Sequence, residues 1–194
     1  KIADYKKAFD EVFPGVGVTP DSIVQAISAF ERTLVCDDTA YDKFAKGDAS
    51  ALTAEQKQGA ELFMGKAGCA NCHSGPTLSD GAFHNLGLSF FNRKLEDLGR
   101  HSVTGVPDDA GRFLTPSLRH VSRTGPYMHN GIFPSLAGLI RFYEAGGGRV
   151  RTDPQLPLER QVLLEAAARK SPQLEPFELT PAERAALLAY LEAL

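Results

Sequence analysis

The chain has 194 residues, 43% of them hydrophobic and 23% charged, with a net charge of −3, an ordinary balance for a globular protein able to bury a core of its own. No basic stripe is present to track phosphates, which excludes a nucleic-acid binder of the usual kind, and no apolar run approaches the ~20 residues of a membrane span. Three cysteines are too few for a disulfide scaffold, and no stretch reads as a signal peptide.

In chain order the elements read as helices joined by long Gly- and Pro-rich loops, an all-α pattern with no alternating run long enough for a substantial sheet. IADYKKAFDEVF places Ile2, Tyr5, Phe9 and Phe13 on one face. TPDSIVQAISAFERTLV opens with Thr19 as N-cap and Pro20 in the first turn, and repeats the apolar residues Ile23, Ile27, Phe30 and Leu34 at helical spacing. Cys36 follows alone and reads as a partly buried free thiol. YDKFAKG is a short helix closed by Gly47, and TAEQKQGAELFMGK starts at the cap Thr53 and carries Leu62 and Phe63 inward. TPAERAALLAYLEAL repeats the cap and proline at Thr180 and Pro181, with Leu187, Leu188, Tyr190 and Leu191 as its core face. Residues 74–115 and 144–158 are long irregular stretches rich in Gly, Asp and Pro. Loops of that length in a compact domain wrap a ligand or perform a function.

GKAGCANCHSG, residues 65–75, contains Cys69, Cys72 and His73 in the pattern C-x-x-C-H. A structural zinc site needs four ligands, and His84, His101, His120 and His129 form no second pair at compact spacing. A thioredoxin-like redox pair should follow a strand, and none precedes Cys69. A haem c needs two thiols for two porphyrin vinyl groups and a histidine next in line for the iron, and C-x-x-C-H supplies all three within one turn. In a cytochrome c fold the first and last helices cross beside the haem. A glycine inside a helix costs ~1 kcal/mol relative to alanine, so Gly59, one turn before Phe63, reads as the place that receives Tyr190.

The segments AFERTLV, GAELFMGKAGCANCHSGPTLSDGAFHNLGL, GRFLTPSLRHVSRTGPYMHNGIFPSLAGLIRFYEAGGG and LTPAERAALLAYLEAL, in that order, resemble the bacterial dihaem cytochrome c peroxidase and MauG family over almost the whole chain. In that family an N-terminal haem reacts with peroxide and a C-terminal haem passes electrons. The resemblance implies that residues 49–194 are the C-terminal, cytochrome c-like haem domain and residues 1–48 the end of the N-terminal domain. The chain then reads as a fragment lacking the peroxidatic haem domain, its natural partner, and by itself a poor peroxidase. Cys69 and Cys72 would hold the haem covalently and His73 would be its proximal ligand. A calcium ion would take backbone oxygens at Thr124 and Pro126 of RTGPY. Arg112 and Arg119, flanking FLTPSL, are candidates for the haem propionates, since a guanidinium pairs well with a carboxylate.

The distal iron position is open between several residues and no protein ligand at all. Met128 and its neighbour His129, in PYMHNG, are of a suitable type. The family places the ligand further on, where this chain has Tyr143 in SLAGLIRFYEAGGG, as MauG-like members do; Tyr143 also reads as a core aromatic beside Ile140. Two functions follow. One is a peroxide-linked oxidoreductase of the dihaem class, periplasmic because haem is attached after export, working with a redox partner or a protein substrate. The other is a stand-alone one-haem electron carrier.

Overall fold

In the computed structural model residues 2–35, 38–151 and 153–194 are described, so Cys36 lies outside the described residues. The chain divides into two compact units, Lys1–Asp38 and Thr39–Leu194. The first holds helices α1 (Ala3–Val12) and α2 (Pro20–Glu31). Thr19 caps α2 as its sequence requires: its hydroxyl accepts the Ser22 N–H at 3.1 Å, and the Ser22 hydroxyl accepts the Thr19 N–H at 2.8 Å. The apolar stripe of this stretch does not form a core face. Ile23, Ile27, Phe30 and Leu34 are all exposed, and the only buried residue of the helix is Ser22. Two short helices offer too little opposing apolar surface to bury that stripe within the unit.

The second unit contains α3 (Ala40–Ala45), α4 (Ala54–Met64), α5 (His101–Thr104), α6 (Leu136–Glu144), α7 (Leu158–Ala168) and α8 (Pro181–Leu191), with a small sheet of β1 (Phe83–Asn85) and β2 (Arg112–Leu114). The strands are antiparallel, with His84 opposite Phe113. The helix-dominated fold expected from periodicity is therefore the observed one. The sheet inside the stretch read as irregular was invisible because three residues cannot display an alternation. Helix α7 was not read either: Pro157 precedes it without a side-chain cap bond, so its start carries no capping signal.

The second unit begins at Thr39, earlier than the boundary at 48/49 read from the sequence. Tyr41 and Phe44 of α3 pack on its core, and the Tyr41 N–H donates to the Ala193 carbonyl at 3.2 Å. An ion pair secures the same helix. Asp42, 6% exposed, receives Arg119 Nη1 on both carboxylate oxygens at 2.7 Å. Burial alone would raise the Asp42 carboxyl, but Arg119 and the Thr39 cap outweigh it and hold it at about 2. Because the folded pKa lies below the unfolded one, the stabilisation is complete above pH ~4 and lost as pH falls from about 4 toward 2. Discounted for solvent screening, it amounts to about 1–2 kcal/mol. Asp42→Asn should therefore be destabilised by that amount at pH 7 in urea unfolding, with the gap to the parent closing as pH falls through this window. A gap of constant size from pH 7 to 2 would show that the carboxylate charge contributes nothing.

The core is built where α4 and α8 cross. Thr53 and Thr180 start the two helices with capping boxes completed by Gln56 and Glu183. Lys66, just past the end of α4, reaches Glu183 at 2.8 Å. Leu62, Phe63, Leu187, Tyr190 and Leu191 are buried between them together with Leu136 and Ile140 of α6. The Phe63 and Tyr190 rings meet edge to face with centroids 5.3 Å apart.

Candidate functional site

Helix α4 ends at Gly65 and leads the chain into the C-x-x-C-H motif. A 3-10 turn over Cys69–Asn71 starts from left-handed Gly68, and the His73 N–H returns to the Cys69 carbonyl at 2.9 Å. Both cysteines are free thiols, each half-buried. Burial pushes the Cys69 thiol up to about 12 and Cys72 upward too, with the Asp80 carboxylate adding to it. Redox C-x-x-C pairs and zinc sites run on thiolates, stabilised by lowered pKa values. An environment that favours neutral sulfur fits thioether bonds instead. The two thiols, with a histidine next in line, therefore match the needs of a covalently held haem.

His73 is oriented for ligation. Its Nδ1 lies 3.0 Å from the carbonyl oxygen of buried Leu78. Donation there leaves the Nε2 lone pair for a metal. Burial lowers the pKa of the ring, against smaller opposing effects from the Leu78 carbonyl and Asp80, and so favours the neutral, ligand-competent imidazole.

Tyr143 enters the same interior from α6. Ser135 caps that helix, and Leu136 and Ile140 anchor it in the core. Burial pushes the Tyr143 phenol well above its usual value, and the thiols of Cys69 and Cys72 push it further; these three side chains therefore share one electrostatic environment. Tyr143 is half-buried, and the Phe142 ring packs edge to face on it at 5.6 Å. His129, by contrast, lies flat on Phe113 with ring centroids 3.6 Å apart. Met128 sits half-buried in a left-handed turn (φ 69°) that its carbonyl closes by accepting the Gly131 N–H at 3.1 Å.

The other expected residues have other partners. Arg119 binds Asp42 and, through Nε and Nη2, the Pro76 carbonyl at 2.9 and 2.8 Å. Arg112 Nε donates to the Asp108 carbonyl at 2.8 Å. Thr124 and Pro126 are exposed on one turn with a cis Gly125–Pro126 bond, and the Thr124 hydroxyl donates to the Val121 carbonyl. Among the described residues, acidic, His and Cys side chains gather as a metal-type group at Cys72, Asp80 and His84, whose donor atoms lie within 4.8 Å of one another. The sequence reading missed this group; its only linear trace is an acidic residue and a histidine at four-residue spacing soon after the motif. His84 Nε2 is 2.7 Å from Asp80 Oδ2. Burial would raise the Asp80 carboxyl, but the Ala82 N–H, His84 and Thr115 hold it at about 2. Three donors fall one short of a closed zinc shell, so the pair is a fixed polar contact beside Cys72.

A family model described as di-haem cytochrome c peroxidase matches residues 1–50. The cytochrome-c peroxidase IdrP1 of Pseudomonas sp. (strain SCT) is 34% identical over 222 residues, covering 100% of this chain and 54% of the relative. The methylamine utilization protein MauG of Methylorubrum extorquens is 39% identical over 174 residues, covering 89% of this chain and 43% of the relative. The crystal structure of a MauG-like protein associated with microbial copper homeostasis superposes with a TM-score of 0.76 at 34% identity, over 99% of this chain and 58% of that one. The chain thus spans about half the length of the relatives it matches.

Proposed function

The chain belongs to the dihaem cytochrome c peroxidase and MauG family, and on that premise we propose that it is the haem c electron-transfer domain of an oxidoreductase acting on hydrogen peroxide. The observation that carries the reading is the C-x-x-C-H turn, which sets the half-buried Cys69 and Cys72 beside a histidine whose Nδ1 is already committed to Leu78, with Tyr143 close enough for its phenol to feel both thiols. Cys69 and Cys72 would hold the haem covalently, and His73 Nε2 and the Tyr143 oxygen would hold its iron. The haem supplies an iron centre that exchanges single electrons. The chain's own residues would hold it through Cys69 and Cys72, and the Leu78 carbonyl keeps the His73 proton on Nδ1.

The buried Tyr143 phenol resists ionisation by itself, and an adjacent cationic centre is what would compensate a phenolate there. An anionic oxygen ligand favours the ferric state, whereas a thioether favours the ferrous. This domain would therefore hold oxidising equivalents better than it delivers reducing ones. The same reading carries a periplasmic location, a second haem domain that meets the peroxide, a redox partner or protein substrate, and calcium on the backbone oxygens of Thr124 and Pro126. A stand-alone one-haem carrier is the second reading; the match to about half of each relative favours the domain.

Ferric absorption and EPR spectra with a potentiometric titration test the assignment. Tyr143→Phe should shift the ferric haem toward high spin, admit small ligands and raise the midpoint potential by on the order of 0.1 V, a fraction of the ~0.8 V that axial ligands span. Met128→Leu should leave the spectra unchanged and cost under ~1.5 kcal/mol. The opposite pattern, with Met128→Leu altering the spectra and Tyr143→Phe silent, would remove Tyr143 from the iron.

A further inference from the structure

Away from the cysteines, the second unit carries a cleft of about 260 Å³ between residues 87–93 and 148–151. Two glycines press its walls together: a Cβ on Gly148 would lie 2.3 Å from the Gly87 carbonyl oxygen, and the Gly148 N–H donates to the Leu86 carbonyl at 2.8 Å. The floor is aromatic, with Phe90 and Phe91, and three arginines line the walls: Arg93 on one, Arg149 and Arg151 on the other.

Among the described residues, no carboxylate lies within ion-pair distance of any of the three. The acids nearest in the chain are engaged elsewhere. Glu96 is held by Arg160 at 2.5 Å, and Asp153 accepts from the Asn92 side chain and the Gln155 N–H. Phe90 and Asn92 adopt left-handed backbone (φ 48° and 56°), a conformation rare for such residues, which persists where the surroundings over-determine it and clusters at ligand clamps. The Arg93 guanidinium stands 5.8 Å from the Phe90 ring centroid. An anion held among guanidinium groups that line one cleft offsets their mutual repulsion, and a guanidinium fork matches a carboxylate.

We propose that this cleft binds a carboxylate carried on an apolar body. Two sources share that chemistry. One is the propionates of the haem c assigned above, a source that rests on that reading. Ile132, which lines the cleft, adjoins Phe133, whose ring packs on Phe142 at 5.0 Å, and Phe142 packs on Tyr143 at 5.6 Å. Arg119, also a candidate for the propionates, binds Asp42 and the Pro76 carbonyl. The other source is a free aromatic or aliphatic carboxylate.

Titration calorimetry of the purified chain with 2-naphthoate and with neutral 2-naphthamide, together with potentiometry of the Arg149→Gln/Arg151→Gln variant, separates them. For a free ligand, naphthoate binds at least tenfold more tightly than naphthamide, the variant loses that preference, and the haem midpoint potential stays put. For propionates, naphthoate does not bind, and the variant changes the midpoint potential and its dependence on pH between 5 and 8. Arg93→Gln, in the opposite wall, repeats the test from a separate loop. Absence of both the naphthoate preference and the potential change overturns the proposal. A chain purified without covalent haem sinks the haem reading alone, and the naphthoate titration still decides the cleft.

Discussion

Gly59→Ala is expected to cost the second unit about 2–3 kcal/mol of stability, the range for forcing extra volume into a packed core. An alanine Cβ at this place would lie 2.0 Å from the Ala186 carbonyl oxygen and 2.7 Å from the Tyr190 Cβ. The first obstacle is helix backbone, which cannot swing aside as a side chain does, so α4 and α8 must part. Parting them loosens the Phe63–Tyr190 contact and the packing of Leu187, which is 1% exposed. Alanine's better helix propensity returns up to ~1 kcal/mol, and the estimate is net of it. Urea unfolding should show a lower midpoint with the slope retained, and covalent haem per chain should fall as well, because α4 feeds directly into Cys69–His73. A variant within ~0.5 kcal/mol of the parent, the range of an ordinary surface substitution, would mean that the two helices do not cross through this residue.

The second large effect concerns the thiols. Cys69→Ala combined with Cys72→Ala should abolish covalent attachment: acid–acetone should extract all the haem, and none should migrate with the chain on a denaturing gel. Each single variant should keep one thioether and shift the pyridine haemochrome band to the position of a haem with one remaining vinyl. The argument is one of charge and burial. Both sulfurs sit where burial penalises thiolate, and a neutral thioether carries no such penalty. His73→Ala should keep the covalent haem while changing its spin state, which separates attachment from ligation. Asp80→Ala with His84→Ala should leave attachment unchanged; metal analysis showing zinc, lost in that double variant, would replace the haem reading with a metal site built on Cys72.

What could be read from the chain alone is what local physics encodes. Thr19, Thr53 and Thr180 announce their helices because a hydroxyl satisfies N–H groups within three residues, and the cap is complete before any tertiary contact forms. The C-x-x-C-H motif is equally local, since one turn of backbone carries Cys69, Cys72 and His73 together. Gly59 was legible as a crossing point because a helical glycine is costly unless something needs the space. Other features required the folded chain. The stripe Ile23, Ile27, Phe30 and Leu34 has the period of a core face, yet periodicity states only which residues share a side, not whether anything covers it. The join between the units moved to Asp38 because Tyr41, Phe44 and the Asp42–Arg119 pair tie α3 to residues far along the chain. The Leu78 carbonyl that sets the His73 proton, the Asp80–His84 contact and the cleft that Arg93 shares with Arg149 and Arg151 all depend on loops whose path no repeat or cap specifies. Hydrogen-bond and side-chain preferences act over three or four residues, and burial, which sets the charge state of Cys69, Cys72 and Tyr143, is a property only of the packed chain.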